Sequence, residues 1–133
     1  MKTMVVVIGI LLSPAWALAD GDEPSKPDGN RLLKDCGAVV ALLDDAKSDI
    51  AESYQVGFCV GFMQGVTQTN LVYQSMVKDK AQFCLPAGGI QNGQAARVVV
   101  KYLRDHPENL HMNQTVLAFW AFKAAFPCKK SVE

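Results

Sequence analysis

The chain of 133 residues has no surplus of either charge, with 13 Lys and Arg against 13 Asp and Glu. Without a basic excess there is no electrostatic footprint for nucleic acid or for an anionic membrane surface. Histidine is scarce, only His106 and His111, and no two of the four cysteines lie within the short spacing that structural zinc sites use. No metal and no other cofactor is therefore expected. A nucleophile elbow of the G-x-S-x-G kind is missing, and Asp44 with Asp45 reads as a solvated helix end rather than a buried acid pair. Nucleophile, base and orienting group do not come together anywhere, so an enzyme is not expected. No stretch reaches the roughly 18 uncharged apolar residues that a membrane helix needs, and there is no internal repeat or low-complexity tract.

What is present begins with an export signal. Lys2 precedes an apolar run from Met4 to Leu12, Pro14 breaks it, and Ala17 and Ala19 supply the small residues that a signal peptidase reads. Residues 1–19 are the expected signal peptide, cleaved before Asp20. The four cysteines, Cys36, Cys59, Cys84 and Cys128, all lie beyond it, and an even count in an exported chain implies disulfides. The expected destination is the periplasm, with no membrane attachment.

Residues 20–29, DGDEPSKPDG, are polar with two prolines, and the expectation is a mobile leader. Residues 30–128 form the expected helical domain, with 129–133 as a flexible tail. Asn30 can cap a first helix whose stripe of Leu32, Leu33, Cys36, Val39, Val40 and Leu43 recurs every three or four residues. A second helix begins near Ser48 and runs to about Lys78. Its core is YQVGFCVGFMQGV, where Gly57, Gly61 and Gly65 share one side and Cys59 points to the other. Three glycines inside a helix need a compensating gain, and close approach of another helix backbone in a tight packing seam is the expected one.

Pro86, Gly88 and Gly89 mark an irregular connection. A third helix follows from Asn92, its expected cap, with Ala95, Ala96, Val99, Tyr102 and Leu103 on its apolar side. Pro107 ends it. The fourth, from about Asn113 to Phe126, is apolar almost all round, and such a helix is either central to the bundle or shared with a partner. The fold class is thus all-α: a small disulfide-bonded four-helix bundle of two antiparallel helical hairpins.

Hairpin geometry narrows the cysteine pairing. In an antiparallel pair turning near Ser48, Cys36 and Cys59 lie side by side. A turn near Asn109 brings Cys128 back to the loop that holds Cys84. The expected bridges are Cys36 to Cys59 and Cys84 to Cys128.

From Gly29 onward the chain resembles the Tai/Rap family of immunity proteins, which protect bacteria from type VI secretion effectors. The resemblance is carried by GNRLLKDC at 29–36, YQVGFCVGFMQGV at 54–66, FCLPAGGI at 83–90, VVVKYLRDHPE at 98–108 and AAFPC at 124–128. It implies a periplasmic, all-helical, often dimeric inhibitor whose partner is a peptidoglycan amidase effector. It implies no catalysis. A periplasmic chaperone or stress-response protein would share the size and disulfides, although two histidines give little acid switch.

An inhibitor that fills a concave cleft needs a protruding loop on a rigid base. The connection Asp105 to Asn113 fits, with Glu108, Asn109 and His111 as hydrogen-bonding groups and Leu110 as an apolar plug. The loop from Ala87 to Gly93 is second choice. The all-round apolar fourth helix makes Phe119, Trp120 and Phe122 the expected homodimer contacts.

Overall fold

The computed structural model describes residues 26–45 and 50–129. The expected signal peptide, most of the expected leader, the first interhelical turn and the last four residues lie outside that set. Four helices, α1 (Gly29–Asp45), α2 (Ile50–Met76), α3 (Asn92–Asp105) and α4 (Gln114–Ala125), carry the fold, with 3-10 turns at Lys78–Lys80 and Pro107–Asn109. Among the described residues the only extended pairing is one antiparallel bridge between Asp28 and Asn113. The all-α, disulfide-bonded bundle is as expected.

The buried stripe of α1, Leu32, Cys36 and Val39, follows the three-and-four spacing read from the sequence. Its start does not follow the expectation. Asp28, not Asn30, caps the helix, its Oδ1 accepting from the Asn30 N–H at 3.0 Å and the Arg31 N–H at 3.1 Å. A carboxylate there answers two orphan amide donors and the positive end of the helix dipole. Pro27 and Asp28, expected in the leader, are therefore already part of the bundle. In α3 the capping position is Gln91, one residue before the expected Asn92, and it makes no side-chain cap bond.

α1 packs on α2 and equally on α3, so it is the shared wall between the two hairpins. Cys36 and Cys59 are joined across α1 and α2, and Cys84 and Cys128 are joined beneath α4, both as expected. Described cysteines are all paired. Around them the core closes on Phe83, Phe122, Leu103, Leu117 and Met63, each essentially inaccessible to water. Phe83 stands between α4 rings, its centroid 5.1 Å from that of Phe122 and 5.7 Å from that of Phe119. That geometry is of the edge and tilted kind that aromatic quadrupoles favour.

Phe83 reaches this place because α2 holds its backbone. The buried Asn70 amide donates to the Phe83 carbonyl at 2.7 Å and accepts from the Gln82 N–H at 3.0 Å. One turn on, Gln74 repeats the device, donating to the Leu85 carbonyl at 3.2 Å and accepting from its N–H at 3.3 Å. Two side-chain amides thus serve an extended segment as a neighbouring strand would, satisfying backbone groups that a loop against the core leaves open.

The glycines of α2 correct the expected packing seam. A Cβ placed on Gly57, Gly61 or Gly65 would meet nothing within 4 Å. Among the described residues no helix lies against them, because α2 turns Cys59, Met63, Val66 and Asn70 inward and leaves the glycine side open. The close glycine contacts are elsewhere: a Cβ on Gly29 would stand 2.5 Å from Leu117 Cδ1, and one on Gly93 would stand 2.7 Å from Leu43 Cδ1. α4 is likewise less uniform than its composition. Leu117, Ala118, Ala121 and Phe122 are buried, and Thr115, Val116, Trp120 and Lys123 face out.

Candidate functional site

The connection between α3 and α4 is short and heavily bonded. Pro107, which has no amide proton to lose, opens a 3-10 turn after His106. The Asn109 N–H donates to the His106 carbonyl at 3.1 Å, and the Met112 N–H to the Asn109 carbonyl at 2.9 Å. Asn113 then caps α4, its side chain accepting from the Thr115 N–H at 2.8 Å.

This loop is stitched to the start of the bundle. The Gly29 N–H donates to the Met112 carbonyl at 3.0 Å, and the Gln114 N–H donates to the Pro27 carbonyl at 3.0 Å. The Leu110 carbonyl accepts twice from Asn30, from its backbone N–H and its side-chain Nδ2, each at 3.2 Å. A Cβ on residue 29 would lie 2.9 Å from Leu110 Cα, so only glycine lets the two segments approach this closely. Sequence reading missed these fixing residues, since the loop and its clamp are some 80 positions apart. The D-G-N triplet at 28–30, a cap followed by the smallest residue, is the local signal that marks them.

The structure divides the four expected contact residues. Glu108 and His111 are exposed and Asn109 is half-exposed, with its amide 3.4 Å from the Glu108 carboxylate. Leu110 is half-buried and packs against the core. The expected apolar plug is instead the loop's anchor. Of the three expected dimer contacts, Trp120 is 40% exposed, Phe119 is half-buried, and Phe122 is 0% exposed. Phe122 is core and has nothing to offer a partner. The second-choice loop is tethered at Cys84 and turned by Gly89 in the left-handed region (φ 69°), its N–H donating to the Pro86 carbonyl at 2.8 Å.

Beside the loop, α3 and α4 leave a cleft of about 320 Å³ lined by Val98, Tyr102, His106, Ala121 and Ala124, with Lys101 and Asp105 paired at 2.6 Å on its rim. The Tyr102 ring lies against His106, centroids 4.3 Å apart. Desolvation first, and then the Glu108 carboxylate, push the Tyr102 phenol above its ordinary range. A phenol that holds its proton more firmly is a hydrogen-bond donor at neutral pH, not a base. Among the described residues no group of three or more His, Cys, Asp or Glu could hold a metal, and no helix is long and apolar enough to cross a membrane.

The helical frame, held by two disulfides, presents an exposed polar loop whose later half is bonded to the start of the bundle. The family model described as Rap1a immunity proteins matches residues 28–128, and the chain belongs to that family, an immunity family of type VI secretion. Membership implies binding of a cognate effector and a non-enzymatic inhibitory role. With the disulfides it points to an extracytoplasmic protein. Neither the curated proteins nor the solved structures compared with the chain gives a match.

Proposed function

We propose that this protein is a periplasmic immunity protein, exported by its N-terminal signal peptide, that binds the active-site cleft of a type VI peptidoglycan amidase and acts as a homodimer. The observation that carries the reading is the clamped loop between α3 and α4. Glu108 and His111 project to solvent from a backbone fixed by hydrogen bonds to Pro27, Gly29 and Asn30. Fixing the loop before contact lowers the ordering entropy that binding must overcome, which is how a small inhibitor reaches high affinity. Asn109 adds an amide with both donor and acceptor, suited to a cleft that accepts peptide.

Replacing Glu108, Asn109 and His111 together by alanine, with Leu110 left in place as the anchor, tests the reading. Exposed substitutions of this kind change stability by only about 0.5 kcal/mol each. Inhibition of the cognate amidase should weaken by about tenfold or more, as for central interface residues. Undiminished inhibition by a folded triple variant rejects the loop, and a wild-type protein that binds no amidase effector rejects the amidase.

A further inference from the structure

We propose that the cleft between α3 and α4 is the socket for one uncharged aromatic side chain of the effector, seated while the neighbouring α3–α4 loop makes its own contacts. This rests on the effector-binding reading above and adds to it an apolar contact that the loop does not contain.

Small side chains leave the cleft open. α4 contributes Ala121, Ala124 and Ala125, and α3 contributes Val98 and Tyr102, so methyl groups make the floor and nothing long enough to cover it stands beside them. At about 320 Å³ the cleft lies at the bottom of the range for ligand pockets, about 300–1,000 Å³, which suits a single large side chain better than a cofactor. At the end where α3 passes into the loop, the Tyr102 and His106 rings lie with centroids 4.3 Å apart and planes tilted by 57°. Such a pair offers a third ring both a face and an edge, the contacts that aromatic quadrupoles favour.

Charge selects a neutral occupant. The Lys101 ammonium and the Asp105 carboxylate that line the cleft are held against each other at 2.6 Å, so an ion entering beside them would give up water without gaining a free counter-charge. What the cleft offers instead is a donor. The Tyr102 hydroxyl has no hydrogen-bond partner among the described residues, and burial first, then the Glu108 carboxylate, keep its proton in place. A tyrosine hydroxyl, or the backbone carbonyl of the residue that bears the ring, answers that donor.

Continuity with the loop selects the effector as the source of the ring. The cleft and the loop share backbone: the His106 carbonyl accepts from the Asn109 N–H at 3.1 Å, and Glu108 stands near enough to Tyr102 to act on its phenol. A partner that covers Glu108 therefore reaches the mouth of the cleft as well. Interfaces concentrate affinity in a few such places, where an aromatic anchor fills a pocket and near-neutral contacts around it exclude water.

Calorimetric titration of the cognate amidase tests the cleft separately from the loop. Ala124→Trp, at an exposed position, fills the cleft from this protein's own side and should weaken binding about 30-fold or more, the scale of an interface hot spot, with the helical circular dichroism spectrum unchanged. Ala124→Ser leaves the cleft open and should bind as wild type. Tyr102→Phe keeps the ring, removes the donor and should weaken binding about 3–10-fold. If Ala124→Trp does not fold, Val98→Phe from the other wall decides in its place. Undiminished binding by a folded cleft-filling variant overturns the proposal, and the loop reading then stands or falls on its own triple variant. A wild-type protein that binds no amidase removes the amidase reading alone, and the cleft is then decided with N-acetyl-tyrosine amide as the probe. The Val98 methyl resonances should shift on titration of wild type and stay still in Ala124→Trp, and a wild-type spectrum that does not move overturns the socket.

Discussion

Gly29→Ala is the sharpest probe of the clamp between the start of the bundle and the α3–α4 loop. The added methyl would stand 2.5 Å from Leu117 Cδ1, 2.9 Å from Leu110 Cα and 3.0 Å from the Leu110 carbonyl oxygen. Two of those atoms are backbone and the third belongs to a side chain that is 0% exposed, so no flexible end can swing away. Overpacking of this kind costs about 1–3 kcal/mol. If the segments part to relieve it, the bonds from Gly29 to Met112 and from Asn30 to Leu110 lengthen, each worth about 0.5–1.5 kcal/mol. By either route the cost is about 1–3 kcal/mol, and for a domain of this size the melting temperature should fall by roughly 5–20 °C. Gly57→Ala is the control: its site is open, and relief of the glycine penalty should raise stability by about 0.5–1 kcal/mol. Thermal melts followed at 222 nm read both. A Gly29→Ala protein that melts with wild type would refute the clamp.

Other consequences are open to direct measurement. Asn70→Ala strips partners from the Gln82 N–H and the Phe83 carbonyl and should cost about 2–4 kcal/mol in urea unfolding, against little for the exposed Gln68→Ala. Removing the Cys36–Cys59 bridge by paired serine substitution should cost about 3 kcal/mol and removing Cys84–Cys128 about 4 kcal/mol, the second closing the longer loop. The Arg97–Asp44 pair, 2.7 Å apart with both side chains about half exposed, should contribute under about 1 kcal/mol in a double-mutant cycle and less in high salt. Tyr102 should ionise above its usual pH. A raised folded-state value adds stability below the unfolded value near 10 that is lost as pH climbs through the folded one, so wild type should lose more stability than Tyr102→Phe in alkaline melts.

Helical period and cysteine spacing made four helices and both bridges legible, since each is a statement about residues near one another along a helix or across a hairpin. The glycine stripe shows the limit. Period tells which residues share a face, and Gly57, Gly61 and Gly65 do, but whether that face is covered depends on where the other helices go. Leu110 is the same lesson on one residue: an apolar side chain in a polar loop reads equally as plug or anchor, and only the position of Gly29 decides. Asn70 and Gln74 look like surface polar residues on a helix that carries no charge after Glu52. Their role depends on a segment that returns a dozen residues later, and nothing local announces it. Asp28 is different, because an acidic residue just before an apolar helical stripe is a readable cap that the polarity of its neighbours concealed.

The cysteines pair in chain order, first with second and third with fourth, and the spans 36–59 and 84–128 neither overlap nor nest. For a chain threaded out of the cytoplasm from its N-terminal end, an oxidase that joins each newly emerged thiol to the one before it makes the native set directly. The earlier bond needs only α1 and α2 and can close before Cys84 has crossed. Oxidative maturation of this fold therefore calls for a donor of disulfides and not for a reshuffling isomerase.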